Sequence, residues 1–479
     1  MKRPWLAIPV VIAAALALAL AACRKSTGPG ADAPTAMAPM PAEVFAVMTL
    51  PSVGEDLPRV AAYIDQIAPG QGAALRAELE ETLRPDQIDA TRPVHLVVLT
   101  PPPGDDDPQL VVVATARDVP AGADEWVMRS GSPDAVALVF DWATTSLFPT
   151  PAPKRATGVL YAAPIRARWA DELQTIASTR STDVPAAVRD VLLALVEQTD
   201  NVRGFVELAS GDLVAEIVLT PRPGTTLASL VEAQRPSTFA LLERLPLEQP
   251  LGAMAGHLAL GDFSRQLEDL AIAFIGAELA ATSPELNQRL IALVEALFDL
   301  GTGEYAGVTD IAANAVVNAF GVQDAARVGV AIDRVVEAAR RLPMPPGIQL
   351  DVQRSTHAGV AIDVGTLFAG AMAAASGAWA AWDGTVVFAL TDPDGELVRA
   401  TVDGTHKPPT VAPDLARALA DARERGDSLL SLFDVLPGDE YPIALSLGVR
   451  AGSAYLWARV PAAQAAALAQ FRARDGGDD

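Results

Sequence analysis

The chain carries one cysteine, four histidines and 5% aromatic residues, with only 36 Lys and Arg against 59 Asp and Glu. A lone cysteine excludes a disulfide-stapled miniprotein. The histidines, His95, His257, His357 and His406, are far apart and form no HExxH or His-x-His pair, so no metal site and no cofactor are expected. The shortage of cations leaves a formal net charge of -23 and a pI near 4.5, which repels phosphate backbones and anionic headgroups. Nucleic acid is therefore excluded as an expected partner. What is there is 479 residues, 50% of them hydrophobic and 20% charged, a profile that rules out a collagen-like or disordered chain. At roughly 100 to 200 residues per domain, two to four domains are expected, each able to bury its own core.

The N-terminus reads as an address and an anchor. Lys2 and Arg3 precede an uncharged apolar run from Trp5 to Leu20, and Leu20-Ala21-Ala22-Cys23 follows at once. This is the layout of a secretory signal. The tetrapeptide resembles the lipobox of bacterial lipoproteins, and the resemblance implies cleavage before Cys23 and acylation of that cysteine. Arg24 stands where lipoproteins retained at the inner membrane resemble an Asp-after-Cys pattern, so the resemblance implies the outer membrane, with the periplasmic face favoured. Cleavage would leave 34 basic and 59 acidic side chains, 34 - 59 = -25, so acyl chains rather than headgroup attraction must hold the protein down. Residues 24–41, RKSTGPGADAPTAMAPMP, have no periodicity and are expected to be a flexible tether.

Beyond the tether a short apolar strand, a Pro or Gly break and an amphipathic helix recur, starting at Val44, Gly158, Ala253, Val316 and Ala454. The irregular spacing excludes a fixed-period solenoid and suggests duplication. Short connections between the strands favour antiparallel pairing, so the expected class is α+β, with repeated strand-helix units forming antiparallel sheets backed by helices on one face. Gly211-Asp212 predicts a hairpin between 205–210 and 213–220, and Asp392-Pro393-Asp394-Gly395 predicts a second one. Ser283 and Pro284 predict a helix start, with Leu286, Leu290, Leu293 and Leu297 on one face. The expected organisation is a signal peptide over 1–22, acylated Cys23 and tether over 23–41, and two α+β domains over 42–249 and 250–479.

Two phrases also resemble an uncharacterised family of bacterial envelope lipoproteins that carry a domain of unknown function. They are Asp89-Ala90-Thr91-Arg92-Pro93-Val94, leading into a strand, and Pro223-Gly224-Thr225-Thr226-Leu227-Ala228. The resemblance implies a repeated α+β fold on the cell envelope and brings no catalytic residue.

Templates for chemistry fail on context. Gly426-Asp427-Ser428-Leu429 matches the signature of a lipase and esterase family, yet no histidine follows Ser428 to serve as its base. Asp427 or Ser428 is expected to cap a helix over LLSLFDVL. Asp105-Asp106-Asp107 lacks the alternating oxygen ligands of a Ca²⁺ loop and reads as a hairpin tip. Gly301-x-Gly303-x-x-x-Gly307 lacks the Lys-Ser/Thr ending of a phosphate loop.

The segment Val364 to Trp382 has no charge over 19 residues. It is expected to be an Ala-rich helix packed on a sheet. Leu367, Phe368, Met372, Trp379 and Trp382 form its candidate apolar ligand or packing face. Three functions remain open: a non-catalytic interaction or scaffold lipoprotein, a lipid or lipoprotein carrier with an apolar cavity, and a hydrolase assembled from distant residues. The first is the expectation, with the membrane as partner through acyl chains and a protein or lipid partner not specified.

Overall fold

The computed structural model describes residues 38–475, apart from 103–106, 118–125, 148–154, most of 171–194, 210, 247–249, most of 260–282, 311–314, 342–346, 370–371, 405–411 and 437–440. The signal peptide, Cys23 and most of the tether lie outside the described residues, as do His406 and Asp105-Asp106. The chain forms two compact units, residues 1–227 with 453–479, and residues 228–452. A cut at Pro250 falls inside the second unit, and the last 27 residues return to the first.

The first unit begins with β1 (Val44–Leu50), α1 (Val53–Ile67), α2 (Gln71–Leu83), β2 (Val94–Leu99), β3 (Gln109–Thr115) and β4 (Trp126–Arg129). It continues with α3 (Pro133–Trp142), β5 (Ala156–Tyr161), α4 (Ala162–Arg168), β6 (Thr199–Ala209) and β7 (Asp212–Pro221). Helix α5 (Thr226–Ala233) follows as the chain passes into the second unit. That unit holds β8 (Gly252–His257), α6 (Pro284–Leu300), β9 (Gly301–Asp310), β10 (Ala315–Val322), α7 (Ala325–Arg340), β11 (Ile348–His357) and β12 (Val360–Ala369). Next come β13 (Met372–Trp382), β14 (Thr385–Leu390), α8 (Glu396–Asp403), α9 (Pro413–Arg425), β15 (Asp427–Phe433) and β16 (Ile443–Arg450). Strand β17 (Ser453–Pro461) and α10 (Ala462–Asp475) complete the first unit.

The architecture is mixed α/β and dominated by antiparallel sheet. Pairings within the first unit run β4-β3-β2-β1-β5-β6-β7-β17. Those within the second run β11-β12-β13-β14-β10-β9-β8-β15-β16.

In the first unit the helices cover both faces of the sheet, not one. Met48, Leu50, Val94, Leu96, Val112 and Ala114 pack with Val53 and Leu57 of α1 and Leu79 and Leu83 of α2. The alternate residues Val47, Val97, Leu99, Val111 and Val113 pack on the other side with Ala135, Val139 and Trp142 of α3. A strand buried on both faces needs a nearly continuous apolar run, and VHLVVL and LVVVAT supply one, with His95 and Thr115 as their single polar residues. Helix α1 starts where Ser52 Oγ accepts the Glu55 N–H and the Asp56 carboxylate accepts the Ser52 N–H, a reciprocal cap. The Asp89-x-x-Arg92-Pro93 phrase is the turn into β2: the Asp89 carboxylate accepts the Thr91 N–H at 3.1 Å and its hydroxyl at 2.6 Å.

The second unit is also covered on both sides. Helices α6 and α7 lie over Val322, Val386, Phe388, Trp379 and Ala381. On the other face a row of small residues, Ala255, Ala306, Ala319, Ala378, Ala380 and Ala389, is 2% exposed or less.

Three expectations are corrected here. Val364–Trp382 is not a helix: its residues complete β12 and form β13. Alanine is the best intrinsic helix former, and tertiary pairing overrides that preference. The sign that was available is Asp383-Gly384, both with positive φ, the backbone of the tight two-residue turn that joins β13 to β14. Asp427 and Ser428 do not cap a helix, because they begin β15. After β14 the chain does not make a hairpin at Asp392–Gly395 but enters α8, and the Asp392 carboxylate accepts the Val398 N–H. The β6–β7 hairpin does form, with Ala209 opposite Asp212, so Asp212 already belongs to the ladder and Gly211 carries the positive φ.

Candidate functional site

Helix α6 passes into β9 with no intervening loop, and glycine makes this junction possible. A Cβ on Gly301 would sit 2.7 Å from the Leu297 carbonyl oxygen. Gly303 has φ +84° and approaches the Leu258 carbonyl so closely that a Cβ would lie 2.7 Å from it. The Leu258 N–H donates to the Gly303 carbonyl at 2.9 Å, which ties the end of β8 to the start of β9.

This register sets His257 opposite Glu304 and Gly256 opposite Tyr305. On the other side of β9, Tyr305 faces Phe320 of β10, with ring centroids 5.2 Å apart. His257, Glu304, Tyr305 and Phe320, with Leu297 and Phe298 from the end of α6, line a half-open cavity of about 500 Å³. That volume lies in the range of small-molecule sites, about 300–1,000 Å³.

Polar groups in the cavity are few. The Tyr305 hydroxyl donates to Asn318 Oδ1 at 2.8 Å, and burial raises its pKa. Burial also holds the Glu304 carboxyl above the usual carboxylate range, and the neighbouring His257 opposes that shift. His257 Nδ1 is buried and has no hydrogen-bond partner among the described residues. Of the described lining side chains, His257 alone has a buried polar atom without a partner among the described residues.

The residues singled out from sequence are placed elsewhere. Leu367 and Phe368 lie on β12, and Met372, Trp379 and Trp382 on β13. Trp379 packs with Leu293, Leu297 and Val336 beneath α6 and α7. Trp382, three positions on in a strand, points to the opposite face. Met372 is 75% exposed. None of the five lines the cavity.

His95 is buried on β2, its Nδ1 2.9 Å from Thr49 Oγ1, and burial pushes its pKa down to about 4. His357 Nε2 meets Asp403 Oδ1 at 2.7 Å in a partly exposed pair. Ser428 Oγ is buried and without a partner among the described residues, while Asp427 beside it pairs with Arg425 at 2.6 Å. Among the described residues no three His, Cys, Asp or Glu side chains converge as a metal site, and no helix is long and apolar enough to cross a membrane. The cavity is not legible in Gly301-x-Gly303 alone, because the residues around it meet only through the register of β8 and β9. Its available signal was a long amphipathic helix running straight into Gly-Thr-Gly-Glu-Tyr. Comparison with known protein families, curated proteins and solved structures finds no match to the chain.

Proposed function

We propose that the chain is an acyl-anchored lipoprotein of the outer membrane whose two units act as a non-catalytic binding module on the periplasmic side. The observation that carries the reading is Leu20-Ala21-Ala22-Cys23, with the only cysteine of the chain at the acylated position. Each buried CH₂ of an acyl chain contributes about 0.8 kcal/mol, and two or three chains give stable attachment without headgroup attraction. Strand-helix pairs such as β1–α1, β10–α7 and β17–α10 support reading the body as copies of one duplicated module.

A carrier function is the second reading, and the cavity beside His257 and Glu304 favours it. Detergent phase partition of the full chain against Cys23→Ala tests the anchor. The parent is expected in the detergent phase and the variant in the aqueous phase; an aqueous parent overturns the reading. Native mass spectrometry of the purified chain separates the two functions, since mass that organic extraction removes as a bound small molecule favours the carrier.

A further inference from the structure

The second unit exposes large apolar side chains at one end of its sheet and polar ones at the other. Phe433, Gly252, Thr309, Val316, Leu390 and Gly377 form one row across β15, β8, β9, β10, β14 and β13. Phe433 and Leu390 of that row are exposed. One row further in, Leu445 and Met254 flank Ser431, and both are exposed. Leu436 is exposed just beyond β15. Met372, 75% exposed, starts β13 where that strand overhangs β14. Of the large apolar side chains exposed among the described residues of this unit, only Val330 on α7 lies elsewhere. The opposite end of the sheet presents Gln323, Asp324, Asp383 and Arg450.

Exposed apolar residues scattered singly are ordinary, whereas a contiguous patch marks a contact surface. Charge selects what covers this one. Two copies of a chain with net charge -23 repel one another, and an anionic surface repels each of them. A neutral zwitterionic surface does not. The sequence of β12 and β13 from Val364 to Trp382 has no charge, while the β15–β16 connection adds Asp439 and Glu440, which suits lipids bearing an ammonium group over anionic ones. The tether supplies such a surface. Ala38, whose N–H donates to Thr145 Oγ1, follows Cys23 by fifteen positions. A flexible chain of that length spans about 20 Å on average and about 50 Å at full stretch. An acylated Cys23 therefore keeps a bilayer close to the protein, and a second contact forms at high effective concentration. The overhang limits the depth. Among the described residues no strand pairs with the outer edge of Met372–Ala375, so those backbone groups need the hydrated headgroup region.

We propose that this end of the second unit's sheet docks on the zwitterionic lipid surface of the membrane that holds the acyl anchor, with Met372, Leu390 and Phe433 reaching about 5–10 Å into the boundary between headgroups and acyl chains. The proposal rests on the acyl-anchor reading and goes beyond it by assigning the surface that meets the bilayer.

The test uses the full acylated chain with one added cysteine carrying a bimane label, in phosphatidylcholine vesicles that contain nitroxide-labelled lipid. With Cys23 acylated, the added thiol is the only one. Met372→Cys is the probe, Leu390→Cys is an independent second position and Val330→Cys is the reference. All three side chains are exposed, so these changes leave the fold in place. Flotation with the vesicles reports the anchor separately. Lipid nitroxide is expected to quench the labels at Met372 and Leu390 at least about threefold more strongly than the label at Val330, as shallow insertion requires. Equal quenching at all three positions, or none at Met372 and Leu390 on a chain that floats, overturns the proposal and leaves the anchor standing. Labels shielded from aqueous iodide yet untouched by lipid nitroxide would mean a protein covers this end, and overturn it as well. A chain that does not float overturns the anchor and this proposal together.

Discussion

Strands β2 and β13 are both uncharged and pair with neighbours on both edges, but their surroundings differ. All six residues of β2 are buried, with Val94 and Leu96 in the α1–α2 cluster and Val97 and Leu99 in the α3 cluster. Among the described side chains of β13 only Ala378 and Ala380 are buried, and Met372, Ala374 and Ala375 are exposed. The ladders explain the contrast. Strand β14 ends at Leu390 opposite Gly377, so Met372–Ala375 run past the sheet with only β12 beside them. Large β-branched side chains thus mark a strand sandwiched between helices. Alanine marks one whose cover lies close, or which has none.

Substitutions can break or sharpen this contrast. The largest effect is expected for Val97→Asp, because Val97 is 0% exposed and a carboxylate there would be buried with no partner. A loss of at least about 4 kcal/mol is expected, seen as loss of the cooperative thermal transition followed by circular dichroism. A two-state melt close to that of the parent would deny that β2 is covered on both faces.

Next in size is a pH effect on the same strand. The folded state holds His95 at a pKa of about 4, below its ordinary 6.5, because burial penalises the charged ring. The unfolded chain therefore binds the proton more readily. The contribution of about 3 kcal/mol is fully present above pH 6.5 and is lost as pH falls toward 4. Urea unfolding of the parent and of His95→Asn across this range should show a steeper acid loss in the parent, and equal slopes would refute the assignment.

Ala380→Leu tests the thin layer. Ala380 is 2% exposed, on the face where α8 packs against β12 and β13, so added methylenes have no space. A cost of about 1–3 kcal/mol is expected in the same unfolding assay. The smallest effect belongs to Met372→Asp, at 75% exposure on the overhanging end of β13. Its midpoint should stay within about 0.5 kcal/mol of the parent, and a larger loss would mean that this end is covered.

The same contrast shows which parts of the fold were legible in sequence. Class, antiparallel pairing, the β6–β7 hairpin and helix α6 follow from patterns that local chemistry enforces, such as glycine at a positive φ and proline at a first helical turn. Two-sided cover is legible in the apolar runs VHLVVL and LVVVAT. The Val364–Trp382 segment misled because alanine content reports intrinsic preference, whereas the strand pairing there is set by partners distant in sequence. The cavity was hidden for a related reason. His257 and Glu304 are 47 positions apart and meet only through the register of β8 and β9.

The proposed anchor depends most directly on the state of Cys23. Mass spectrometry of the N-terminal peptide of the chain, extracted from bacterial membranes, is expected to find Cys23 as the first residue, carrying two or three acyl chains. An N-terminus at Met1, or cleavage at another position without lipid, would contradict it.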